Sequence, residues 1–177
     1  DGGAVSTNNV DLAKSIRSLR SHAQSTNSRH CNIGVNSRLD SMQAGIISLK
    51  LKHLEYWNEM RCSIARTYDH KLKKIDQVSP VIILKYNTPN YHLYVIRAEN
   101  RNGLREHLKR KGIDTKIHYP HLIHNQPGYR FLRYSETEFP NAFKANQEII
   151  SLPMFPGMCE LMITYVVDKI NEFYKKK

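Results

Sequence analysis

Apolar residues in the first part of the chain recur at steps of three and four. Later they gather into short β-branched and aromatic runs. Ala4-Val5-Ser6-Thr7 is expected as a short strand that polar residues end. Asn8, with Asp11 three positions on, forms an N-cap signature, and Leu12, Ile16 and Leu19 follow at helical spacing, which predicts a helix over 10–22. Residues 23–36 are rich in Ser, Thr and Asn and aperiodic, and so read as a long loop. Ser37 with Asp40 repeats the capping signature. Leu39, Met42, Ile46, Leu49, His53, Trp57, Met60, Ile64, Tyr68 and Leu72 then recur on one face. That pattern predicts a helix of about 33 residues and about 50 Å, at ~1.5 Å per residue. It is taken as the domain boundary, although a bend in its middle would leave no certain mark.

Beyond it, residues 81–86 and 92–97 are predicted neighbouring strands, separated by the turn-forming Asn87-Thr88-Pro89-Asn90. Leu104 and Leu108 share one face of a short helix that Gly112 closes, and a third run covers 115–119. This is a βα-type alternation. Residues 120–134 are irregular, 142–150 helical, 151–155 extended, and 159–174 a final amphipathic helix. Together they predict a small α+β lobe of about 100 residues.

An apolar fraction of 40% supports a folded chain. No apolar run approaches the roughly 20 residues that a bilayer crossing needs, and no signal peptide is visible, so a cytosolic location is expected. Cys31, Cys62 and Cys159 are widely spaced and odd in number, which suits reduced thiols and neither a disulfide framework nor a metal site. The formal charge of +11 suits phosphate-bearing partners without choosing among nucleic acid, an anionic surface and a nucleotide-linked substrate. Lys175-Lys176-Lys177 reads as a solvated end. His118, His121 and His124 flank Pro120 without cysteine or carboxylate partners at ligand spacing, so no metal site is expected. They form either a plain loop or the lining of an anionic or sugar-binding cleft. No dinucleotide fingerprint, P-loop or GxSxG elbow is present.

Several stretches taken in order resemble the DegT/DnrJ/StrS family of sugar aminotransferases. They are Asp1-Gly2-Gly3-Ala4-Val5, Leu19-Arg20-Ser21-His22, Gly34-Val35-Asn36-Ser37-Arg38-Leu39-Asp40 with Gln43-Ala44, and Trp57-Asn58. Further along come His92-Leu93-Tyr94-Val95-Ile96-Arg97, Gly112-Ile113-Asp114-Thr115, Ile117-His118-Tyr119-Pro120, His124-Asn125-Gln126-Pro127 and Ser151-Leu152-Pro153-Met154-Phe155-Pro156. Their joint order carries the resemblance. It implies an α/β chain, the C-terminal part of a fold-type I, aspartate aminotransferase-like enzyme that uses pyridoxal 5′-phosphate. Residues 1–36 would end the large cofactor-binding domain, 37–74 would be the long connecting helix, and 75–177 the small α+β domain.

In such an enzyme the GxNxR segment brings an asparagine to the cofactor phosphate of the neighbouring subunit, which points to Asn36 and to a homodimer with shared active sites. Arg38 would face the anionic cofactor or the substrate diphosphate, or else pair with Asp40. His118 and Tyr119 would border the sugar pocket or pack a strand end. No catalytic residue is expected in the chain, because the family's Schiff-base lysine falls upstream of Asp1; Lys14, on a predicted surface helix, does not replace it, and the chain alone is expected to be inactive. The implied reaction passes an amino group, with glutamate as the donor, to the keto group of a deoxysugar linked to a nucleoside diphosphate, with a 3-keto-6-deoxy sugar favoured over a 4-keto one. Two departures from the family pattern concern loop shape: His121-Leu122-Ile123, where a second proline is frequent, and Ala23, where glycine often follows the histidine. A sugar dehydratase of the same family and a basic nucleic-acid-binding module remain the alternatives, the second without RNP or zinc-finger spacing to support it.

Overall fold

A computed structural model describes residues 3–24, 29–30, 32–135 and 138–175. The chain forms two compact units, Asp1–Leu54 and Glu55–Lys177.

Among its described residues the first unit holds two helices, α1 (Val10–Leu19) and α2 (Ser41–Leu51). The cap of α1 is Asn9, one residue later than the sequence suggests. Its side-chain oxygen accepts from the backbone N–H groups of Asp11 and Leu12 at 3.0 Å, while Thr7 Oγ1 accepts from Asn9 N at 3.1 Å. Residues 4–7 are not a strand, since no neighbouring strand pairs with them among the described residues. The loop after α1 turns back on itself. Leu19 O accepts from Val35 N at 2.9 Å, Val35 O from His22 N at 3.0 Å and Arg20 O from Ser37 N at 2.8 Å, with an antiparallel bridge between Ser21 and Asn36.

The expected 33-residue helix is interrupted. Residues 37–40 are irregular up to the α2 cap at Asp40, and α2 ends at a turn over Lys52-His53, where His53 N reaches back only to Lys50 O at 3.0 Å. A second helix, α3, runs from Leu54 to Leu72. Apolar spacing continues across the turn, which is why the period alone reads as one rod.

The second unit is α+β, with one antiparallel sheet in the order β1-β2-β3: Val78–Pro80, Tyr94–Ala98 and Ile149–Leu152. Val78 faces Ala98, and Tyr94 faces Leu152. The first strand therefore lies before the run over 81–86, whose Val81, Ile82 and Tyr86 are exposed. Apolar content suggested that run. Pairing with β2 selected the preceding triplet instead, with Val78 buried and Pro80 at its end, on an edge strand that tolerates a missing N–H. Residues 115–119 make only a bridge, Lys116 to Ser151.

Helices α4 (Arg101–Arg110), α5 (Pro140–Glu148) and α6 (Glu160–Lys175) complete the unit, and 3₁₀ turns cover Ile123–Asn125 and Pro127–Leu132. Gly112 after α4 has φ +75°, the left-handed conformation that glycine adopts without strain. Ile64, Tyr68 and Leu72 of α3, Leu104 and Leu108 of α4, Ile163 and Ile170 of α6 and Ile96 and Ile150 of the sheet form one core. Fully burying each such side chain contributes about 1.5–3 kcal/mol relative to exposure. Tyr68 and Tyr94 stack at 4.7 Å, and their hydroxyls donate to Pro153 O at 3.1 Å and Asp69 Oδ1 at 2.6 Å.

Candidate functional site

The sequence-predicted residues fall into two pairs, one in each unit.

Asn36 and Arg38 lie in the segment that returns against the end of α1. Gly34 is required there by close approach: a Cβ would stand 2.5 Å from the His22 carbonyl carbon and 2.7 Å from Leu19 O, and closer still to Ala23 N. His22 and Ala23 at this corner, and Leu39 further along the returning segment, have φ of +58°, +54° and +52°. Left-handed backbone at three non-glycine residues costs about 1–3 kcal/mol each and gathers where a loop shape is dictated by something other than local preference. Position 23 thus sits where a Cβ is disfavoured and glycine would be free of strain.

Arg38 Nε donates to Asn36 Oδ1 at 3.0 Å. With its oxygen so used, the Asn36 amide has its N–H groups left to donate. Among the described residues Arg38 and Asp40 form no ion pair, so of the two alternatives for Arg38 the carboxylate pairing is absent here. Gly3, Arg20, Asn36, Ser37, Arg38 and Gln43 are among the residues that line an open groove of about 600 Å³. Two guanidinium groups, a carboxamide donor and the start of α2 at Ser41, set against the single carboxylate of Asp40 on the same groove, suit an anion with several oxygens, such as a phosphate monoester.

His118 and Tyr119 follow the Lys116 bridge. Ser151 N donates to Lys116 O at 2.7 Å, and Lys116 N to Ser151 O at 3.3 Å. His118 Nδ1 lies 2.8 Å from Ser151 Oγ, and Tyr119 O accepts from Asn146 Nδ2 at 2.7 Å. The two rings meet edge to face at 5.5 Å, with Tyr119 73% exposed. The Tyr119 ring is thus open to solvent, while the His118 ring is half-buried against the end of β3. Nearby in sequence, His124 packs on Phe139 at 4.8 Å, and Phe139 on Tyr134 at 5.1 Å.

Sequence reading had passed over four of these residues. Arg20 and Ser151 stand inside quoted family stretches, so order along the chain could have raised them. Gln43, on α2, belongs to the same resemblance, whereas Asn146 carries no such mark, because only the approach of α5 gives it a partner. Among the described residues, no group of three or more His, Cys, Asp or Glu could hold a metal ion, and no helix is long and apolar enough to cross a membrane.

Comparison with known proteins defines the class. The profile of the DegT/DnrJ/EryC1/StrS aminotransferase family matches residues 1–171, and the chain belongs to that family. Its fold is that of the C-terminal part of a fold-type I aminotransferase. The chain is 41% identical, over 99% of its length and 48% of the relative's, to the "Pleiotropic regulatory protein" of Geobacillus stearothermophilus. It is 34% identical, over 99% of its length and 46% of the relative's, to the dTDP-3-amino-3,4,6-trideoxy-alpha-D-glucose transaminase of Streptomyces venezuelae. Among solved structures, DesV of S. venezuelae superposes with a TM-score of 0.88 at 33% identity, over 94% of this chain and 45% of DesV. An aminotransferase of the family from Brucella abortus gives 0.85 at 35% identity, over 94% and 44%. The chain thus spans just under half the length of the curated relatives it matches.

Proposed function

We propose that the whole protein is a sugar aminotransferase that uses pyridoxal 5′-phosphate to move an amino group, with glutamate as the donor, onto the keto group of a deoxysugar linked to a nucleoside diphosphate. Family membership and the transaminase relatives support the reaction class. The observation that carries the site assignment is the groove around Asn36. The donor set fits the phosphate end of the cofactor: Asn36 and Arg38 would hold it, and Arg20, on the same groove, would add a second cation. Bound pyridoxal phosphate supplies the electron sink and the amino-group carrier. The chain's own residues bind and orient. The Asn36 N–H would donate to a phosphate oxygen, and the guanidinium groups would offset its charge. His118 and Tyr119 would offer hydrogen-bonding groups and an aromatic edge to the sugar.

The same reading includes a homodimer in which the Asn36 groove serves the partner's cofactor, a cytosolic enzyme, a 3-keto-6-deoxy sugar as substrate, and a division of the chain at residues 37–74 into large-domain end, connector and small domain. No apolar residue of α2 is buried within the first unit, which suits a helix covered by further protein.

Full-length protein loaded with pyridoxal phosphate should show a visible absorbance that bleaches with glutamate and returns on adding a nucleotide-linked keto sugar. An absence of bleaching with glutamate and other amino donors would sink the proposal. A histidine in place of the expected lysine would redirect it to the dehydratases of the family.

A further inference from the structure

The ring of His118 is held by a device outside the residues proposed to touch substrate. Ser151, on β3, is 5% exposed, and its neighbours Ile150 and Leu152 are core residues. Its backbone N–H and carbonyl are both committed to Lys116, so its Cβ is fixed against the segment that leads into His118. Its hydroxyl reaches His118 Nδ1 at 2.8 Å. The following carbonyl, of Tyr119, is fixed separately by Asn146 of α5 at 2.7 Å.

The junction between α5 and β3 is itself braced. Arg97 places Nε and Nη2 on Glu148 Oε2, each at 2.6 Å, and Arg101, 8% exposed, donates from Nη1 to Ile149 O at 2.9 Å. Hydrogen bonds thus fix both ends of the short β3 segment that carries Ser151 to the imidazole.

We propose that Ser151 is a positioning residue that fixes His118 as the Nε2–H tautomer, so that the ring serves substrate as a hydrogen-bond donor and not as a base. A hydroxyl this buried must place its proton on an acceptor or lose the worth of a hydrogen bond, and the acceptor that the structure gives it is Nδ1. Nδ1 is then unprotonated, and a neutral ring carries its proton on Nε2. An N–H facing away from the sheet suits a hydroxyl or keto oxygen of a sugar. The use made of that donor rests on the substrate-side reading of His118. The tautomer does not, because both residues and their supports belong to the second unit.

The test is long-range ¹H–¹⁵N correlation on the 177-residue chain with ¹⁵N-labelled histidine, at a pH where the ring is neutral, with H118Q identifying the His118 signals. A protonated-type Nε2 and an unprotonated-type Nδ1 are expected. They should persist in S151T, which keeps a hydroxyl, and collapse to a mixture of tautomers in S151A. Protonated-type Nδ1 in the wild type overturns the proposal, as does a pattern that S151A leaves unchanged. If S151A fails to fold, the wild type and S151T decide it by the same criterion. Neither cofactor nor sugar enters the measurement, so a full-length protein without transaminase activity would remove the functional reading and leave the tautomer standing.

Discussion

The two units solve opposite problems with the same kinds of residue. In the second, apolar side chains from three helices and three strands meet in one core. In the first, Ala23 is the one buried hydrophobic residue among those described, while Met42, Ile46, Leu49 and Leu51 of α2 stay exposed. What shapes the first unit is backbone geometry: a glycine pressed against a carbonyl, left-handed residues and hydrogen bonds across a loop. One unit is held by burial and the other by steric and polar constraint, so the stability of one and the site of the other should respond to different mutations.

The largest effect expected is on the core. Leu104→Ala, at a fully buried position, should cost about 2–5 kcal/mol, and Ile46→Ala, at an exposed one, should stay within roughly 0.5 kcal/mol. Denaturant unfolding of the 177-residue chain followed by circular dichroism checks both. Comparable losses would break the contrast. Repeating Ile46→Ala in the full-length protein sharpens it, because a cost that appears only there identifies α2 as covered by the rest of the molecule.

Next in size is the groove. Removing a hydrogen bond to a charged group costs about 1.5–3 kcal/mol, so Asn36→Ala in full-length protein should weaken pyridoxal phosphate binding by roughly 10–100-fold. Its thermal midpoint without cofactor should stay close to wild type. A cofactor titration followed by absorbance measures the first and a melting curve the second. Unchanged affinity would remove Asn36 from the phosphate site.

How much of this was legible in the sequence follows the same division. The helices α3, α4 and α6 and the strand at 94–98 were readable because their periodicity is the periodicity of their burial, as with Leu104 and Leu108. The run over 81–86 was misread as a strand because apolar content says nothing of which neighbour offers open hydrogen bonds. The break at Lys52-His53 left the apolar period intact and no glycine or proline to mark it. In the site, Asn36, Gln43 and His118 stand within the family order, whereas Asn146 does not, since its place arises from the packing of α5.

Two buried alanines test the contrast at smaller scale. Ala65 is buried within α3, and glycine there should cost about 1–2 kcal/mol, the sum of a lost methyl and the helix penalty. Ala23 is equally buried but has φ +54°. Relief of about 1–2 kcal/mol of left-handed strain should offset the lost methyl and the looser unfolded chain, leaving Ala23→Gly near neutral. Chemical denaturation of both variants measures the difference, and equal costs would mean that strain is not what shapes the corner.

The smallest effect expected is a pH dependence confined to the second unit. His107 lies 7% exposed between α4 and α6, 5.6 Å from the ring of Phe173, and its Nε2 is buried without a hydrogen-bond partner. Burial, more than any other cause, holds its pKa below the usual imidazole value. Lys111 and Arg110 push the same way, against Glu172 and the backbone at Lys169, which favour the charged ring. A depressed folded pKa means that the fold prefers the neutral ring. The contribution is therefore complete above the unfolded value of about 6.5 and is lost as pH falls through the lower folded one. The midpoint of unfolding should drop between about pH 7 and 5, less steeply in His107→Gln, which removes the titration. Because Glu172 opposes the depression, Glu172→Gln should steepen the drop. A slope the same in all three proteins would exclude His107 as its source.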